Sequence, residues 1–198
     1  MLIKALLILC LASINTVCFT YVPYNNDAGD STNLQYLSVF PFSSGEVLTV
    51  KTFIQWNDVF ISGIIIAKTT NDTVKAVFLN EFGIKAFEFE AIQGKCKLTN
   101  VMELIDKWYI RKTIEKDFAF IFSVVSAPET NIAEFDYHVS NQKTIYRYFF
   151  QHEKLFKLLR FEKKKPTAII EIESDSSYIM KNSVKNITYN FKILKRDE

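Results

Sequence analysis

The chain has 198 residues and carries 24 Lys and Arg against 22 Asp and Glu, a formal charge of +2, with 18 Phe and 9 Tyr raising the aromatic share to 15%. So even a charge balance gives no ground for a nucleic-acid partner, and five glycines leave little room for a phosphate-cradling loop. Two of the three cysteines, Cys10 and Cys18, fall in the first 18 residues, so a disulfide framework is excluded beyond them and stability must come from the core.

At Met1 a single Lys4 precedes an apolar run over 5–12, continued by Ile14 and Val17. This charge-then-apolar layout predicts a secretory signal over 1–18. The run is shorter than the roughly 20 apolar residues of a membrane span. Its end is open between two readings. Cys18 stands where an acylated lipoprotein cysteine would stand, yet Val17 occupies the place of a small residue, and ordinary cleavage nearby fits as well. An acylated Cys18 would anchor the chain to a membrane through its buried methylenes.

Residues 19–40 are polar and turn-rich and predict a tether, with a single β-rich domain over 41–198. Within that domain, 47–55 and 59–68 predict a hairpin around Trp56, Asn57 and Asp58. Both faces of 59–68 are apolar, with Ile61, Gly63, Ile65 and Ala67 on one side and Phe60, Ile64 and Ile66 on the other. That pattern predicts a strand covered on both sides, or one lining an internal cavity. Further strands are expected over 74–80 and 84–91, the latter alternating Lys85, Phe87 and Phe89 against Ala86, Glu88 and Glu90. Gln93 and Gly94 end it in a tight turn.

The period then becomes helical. Val101, Leu104, Ile105 and Trp108, then Ile110, Ile114, Phe118 and Ile121, predict two short helices or one kinked helix packed on the sheet. Asn100 and Glu103 are placed to cap its start. After a loop around Pro128, strands are expected over 144–151, 154–161, 167–174 and 185–194. The last is the clearest, alternating Ile187, Tyr189, Phe191 and Ile193 with polar neighbours. Strands, a helical interruption and more strands make an α+β chain.

Residues able to do chemistry are few. His138 and His152 lack zinc-ligand spacing, Cys96 has no base beside it, and no catalytic residue, metal site or cofactor is expected. Asn71-Asp72-Thr73 and Asn186-Ile187-Thr188 match the glycosylation acceptor pattern, which arises often by chance. Lys154, Lys157, Arg160, Lys163, Lys164 and Lys165 read as a solvated strand face, with attraction to anionic head groups as the alternative. Asn80-Glu81-Phe82-Gly83 reads as a turn with an unusual backbone angle, or as a place where Glu81 meets cargo.

Several of these segments carry a family resemblance. The run Ser62-Gly63-Ile64-Ile65-Ile66-Ala67-Lys68, then Val77-Phe78-Leu79-Asn80-Glu81-Phe82-Gly83, Phe87-Glu88-Phe89 and the helical step Lys116-Asp117-Phe118 resemble envelope lipoproteins of Bacteroidetes. These look like relatives of the Lol-type lipoprotein carrier and outer-membrane receptor fold, and the likeness covers about 45–125. The resemblance implies a curved antiparallel sheet forming an incomplete β-barrel, with the helical segment about 100–122 packed on or in its concave face. It further implies an apolar cavity, lined by residues such as Ile65, Phe78 and Phe87, that takes a lipid or the acyl chain of a lipoprotein. The expected function is then a non-enzymatic exported protein of the periplasm or outer membrane that binds or shields such a chain. The alternative is a structural or assembly subunit of an envelope complex without a ligand.

Overall fold

Alternating apolar and polar residues, punctuated by Asn, Gly and Lys-rich turns, set up strands that each need a neighbour for the backbone and a cover for one face. A computed structural model describes residues 34–43, 45–70, 72–128, 133–139, 143–152 and 154–197, all within the packed unit 32–198. The signal expected over 1–18, Cys18 included, lies outside the described residues.

The strands are β1 (Leu34–Leu37), β2 (Val47–Trp56), β3 (Val59–Thr70), β4 (Thr73–Asn80), β5 (Lys85–Ile92), β6 (Lys95–Thr99), β7 (Val125–Pro128), β8 (Glu134–His138), β9 (Thr144–Gln151), β10 (Lys154–Glu162), β11 (Lys165–Ser174), β12 (Ser177–Asn182) and β13 (Ile187–Asp197). One α-helix, α1 (Trp108–Phe122), follows a short 3₁₀ turn at Glu103–Ile105. Eleven strands form one antiparallel sheet in the order β6-β5-β4-β3-β2-β13-β12-β11-β10-β9-β8. It is therefore two meanders, β2–β6 and β8–β13, joined where β2 pairs with β13 from Trp56 opposite Ile187 to Val47 opposite Asp197. β1 and β7 pair separately.

The sheet does not close on itself, and α1 lies on its inner face, so the architecture is the expected incomplete barrel with a helix. At one end the two sheet edges meet around the β5–β6 turn. There the Tyr137 hydroxyl donates to the Gln93 carbonyl at 3.2 Å, and the Gly94 N–H donates to the Ser123 hydroxyl at 2.9 Å. The edge of β6 is covered by the helix. Arg111 donates to the Leu98 carbonyl at 2.9 Å, and the Leu98 N–H donates to Glu115 at 3.1 Å, so that edge does not offer its backbone to another chain.

The structure departs from the sequence reading in several places. β3 is covered on one face only: Ile65 and Ala67 are buried, while Ile64 and Ile66 point outward and are 37% and 38% exposed. A bulge opposite Phe78 and Leu79 shifts β5 by one residue, so Ala86 and Phe87 are both buried and Lys85 leaves the oily face. Asn100 does not cap the helical segment. It adopts φ 50° and donates its side-chain amide to Glu88 at 2.5 Å, and neither helix start has a side-chain cap. Packing begins before Pro41, the expected start of the domain, because β1 and the fully buried Phe40 fall inside the stretch read as a tether.

Candidate functional site

The inner face of β2–β6 is dry. Leu48, Val50, Ile65, Ala67, Phe78, Phe87, Phe89 and Leu98 are buried there, and the Phe78 and Phe87 rings stack with centroids 5.2 Å apart. Phe118 of α1 lies 5.7 Å from Phe87 and 4.9 Å from Phe89, and Phe122 lies 4.9 Å from Phe89. The structure thus brings Ile65, Phe78 and Phe87 together on the concave face, with the helix packed over their aromatic layer.

The inner face of β8–β13 is different, because it carries charge. Asp117, in the middle of α1, is wholly buried and accepts hydrogen bonds from Arg160 at 2.8 Å, from Asn182 at 2.9 and 3.0 Å, and from the Tyr189 hydroxyl at 2.8 Å. Arg160 also donates to the Lys116 carbonyl at 3.1 Å and to the Thr167 hydroxyl at 3.2 Å, and its guanidinium lies 5.5 Å from the centre of the Phe120 ring. A buried charge needs this kind of full hydrogen bonding, and four strands contribute to it. Burial, reinforced by the Asp117 carboxylate, holds the Tyr189 phenol well above its ordinary range. Glu162 lies at the rim of the network. Burial alone would raise its carboxyl, and the Lys116 ammonium at 2.5 Å brings it below its usual value.

Arg160 is therefore not part of a solvated basic face, although Lys154, Lys163, Lys164 and Lys165 are exposed. Sequence reasoning passed over Asn182 and Tyr189 as site residues. A polar Asn at an inward position of β12 was the available signal for the first.

Segment 38–42 covers the remaining end of the concave face. Phe40 inserts between Tyr178, Phe122 and Phe191, with ring centroids at 4.8, 5.0 and 5.8 Å. Beside it opens a cleft of about 330 Å³ lined by Val39, Pro41, Leu155, Ile172 and Tyr178 together with Ser38, Lys154, Asp175 and Arg196. Its lining mixes apolar and charged side chains, with two cations to one carboxylate. The volume lies near the lower end of the range of about 300–1,000 Å³ typical of small-molecule sites.

Other candidates have structural explanations. Asn80 accepts N–H donors from Phe82 at 3.0 Å and Ile84 at 2.9 Å, Gly83 adopts φ 75°, and Glu81 takes the Ser62 hydroxyl. The Asn80–Gly83 motif is therefore a capped turn tied to β3. Cys96 is half-buried, and burial together with Glu115 pushes its thiol up to about 12, far from a reactive thiolate. Among the described residues no group of three or more His, Cys, Asp or Glu could hold a metal ion.

No protein-family model matches the chain, and no curated protein matches it in sequence. Among solved structures it is similar to an outer membrane lipoprotein-sorting protein domain from Vibrio parahaemolyticus, with 6% identity over 80% of this chain and 87% of that one and a TM-score of 0.44. It is similar also to an exported protein with a YmcC-like fold from Bacteroides fragilis, with 8% identity over 80% and 98% of the two chains and a TM-score of 0.32. A third similarity is to the complex of MucA and MucB from Pseudomonas aeruginosa, with 11% identity over 77% of this chain and 51% of that one and a TM-score of 0.27.

Proposed function

We propose that the chain is a non-enzymatic, exported protein of the cell envelope that binds or shields a lipid or acyl chain within its half-barrel. The observation that supports this most is the cleft beside Phe40. It sets the apolar side chains of Val39, Leu155, Ile172 and Tyr178 beside Lys154 and Arg196, a combination that suits an acyl chain with an anionic head group. Cys18 would hold the protein at the membrane if acylated.

Native mass spectrometry of protein purified from envelope, followed by competition with a fluorescent fatty acid, tests the reading. Co-purifying lipid, with weaker probe binding after Ile172→Trp fills the cleft, is the expected result. Absence of lipid and no probe binding would overturn it.

One observation favours a second reading. Ile65, Phe78 and Phe87 are packed under α1, as in a filled structural core. A structural or assembly subunit of an envelope complex would need no ligand. Crosslinking in intact envelopes separates the two, since a subunit recovers one stable partner and a carrier recovers many acylated ones.

A further inference from the structure

The outer face of β13, β2, β3 and β4, opposite the helix, is unusual for a surface left to water. Phe53 and Phe60 are exposed with ring centroids 5.8 Å apart, and Ile64 and Ile66 are more than one-third exposed beside them. In register, Ile64 sits between Lys51 and Leu79, and Ile66 between Thr49 and Val77, so the apolar residues form a strip along β3, broken at Ser62 and flanked on β4 by Val77 and Leu79.

Lysines bracket that strip in like-charged pairs. Lys51 is directly opposite Lys192, and Lys68 directly opposite Lys75. Like charges opposed across strands destabilise an isolated sheet. Among the described residues none of these four lysines forms an ion pair. On the Lys68–Lys75 side, Glu90 lies across from Lys75 and Glu88 across from Val77, both lining one cleft with the two lysines, and Glu81 is held by Ser62; on the Lys51–Lys192 side no carboxylate is in register, and Asp197 is taken by Lys195. The face therefore has apolar side chains at its centre, a cationic pair without carboxylates at Lys51 and Lys192, and a mixed-charge flank at Lys68, Lys75, Glu88 and Glu90.

We propose that this outer face rests on an anionic lipid bilayer, the apolar strip entering the head-group region and the lysine pairs meeting lipid phosphates. A bilayer supplies both complements together, apolar depth and dense negative charge. A second copy of the same face carries the same excess of lysine, so it does not supply the dense negative charge that a bilayer does. The surface is separate from the concave site, so the proposal stands whether or not that site takes a lipid.

The test is sedimentation of the full chain with phosphatidylcholine vesicles, with and without phosphatidylglycerol. Binding is expected only with the anionic lipid, falling as salt rises. Lys51→Glu with Lys192→Glu is expected to weaken it by roughly tenfold or more, at about one fivefold step per lysine. Ile64→Ser with Ile66→Ser should weaken it at every salt concentration, and Lys163→Glu with Lys164→Glu should leave it unchanged. Circular dichroism confirms that each variant folds. Equal binding by wild type and the Lys51/Lys192 variant would overturn the proposal, as would loss only on Trp108→Ser at the exposed start of α1. A dimer in ultracentrifugation that Phe60→Ser abolishes would likewise overturn it, assigning the face to a second copy.

Discussion

Strands β2–β6 hold α1 through the rings of Phe87 and Phe89 and through two hydrogen bonds at the β6 edge, whereas β8–β13 hold its middle through Arg160, Asn182 and Tyr189 around the buried Asp117. The two grips have different physics. Apolar contact is roughly proportional to area and tolerates sliding and repacking. A buried carboxylate with four hydrogen bonds from three donor groups is satisfied in one helix position only. The aromatic layer supplies adhesion, while the buried Asp117 network and, at the β6 edge, the more exposed Arg111 and Glu115 contacts fix where along the sheet the helix stops.

Conservative changes should break this contrast most sharply. Asp117→Asn preserves shape but leaves the buried Arg160 with only Glu162, at 3.3 Å and partly exposed, as a counter-charge, with an expected loss of about 3 kcal/mol in urea denaturation. Arg160→Met combined with Asp117→Leu should recover only part of that loss, because the buried Asn182 amide and Tyr189 hydroxyl lose their acceptor, and a double-mutant cycle reads the coupling. Near-additivity would mean that the network is not a unit. On the dry half, Gly63→Ala should cost about 1–3 kcal/mol by overpacking, because the added methyl would stand 2.1 Å from the Leu79 carbonyl oxygen. Ile65→Val on the same strand should cost only about 0.5–1.5 kcal/mol. A larger loss there than at Asp117 would reverse the comparison.

The smallest expected effects are in pH. Glu162 is depressed in the folded chain, so its stabilising contribution is present above its ordinary value of 4.5 and is lost as pH falls through the lower folded value. Lys116→Met should flatten that acid limb in pH-dependent denaturation. Tyr189 and Tyr148 are raised by burial, and Tyr178 is raised to about 12 for the same reason. Their contribution is intact below pH 10 and is lost as pH rises through the folded values, so phenolate absorbance should appear together with unfolding.

The strands with strong alternation, β2, β3, β4, β9, β10, β11 and β13, are legible from β-branched and aromatic residues at period two. β6, β8 and β12 are not, because each is short and interleaves Lys, Asp, Glu or Asn with its inward residues. In β12 the inward Asn182 looks like a turn residue until Asp117, 65 positions earlier, supplies its partner. Arg160 was misread for the same reason: neighbouring lysines suggest a wet surface, and only the fold turns that one cation inward. The motif residues Gly63 and Asn80 were legible as a pattern but not as a cause, since the close approach of β4 and the Ser62 contact to Glu81 exist only after pairing.

The seam between β2 and β13 has a temporal consequence. Each meander can form from local hairpins as the chain emerges, but β2 keeps an unpaired edge until β13 has been made and delivered. Non-local pairing of this kind is slow, and an open edge beside an oily face invites association with other chains. The first-made half therefore waits for the last-made strand, and the yield of folded chain is set by how long the β2 edge stays open during synthesis.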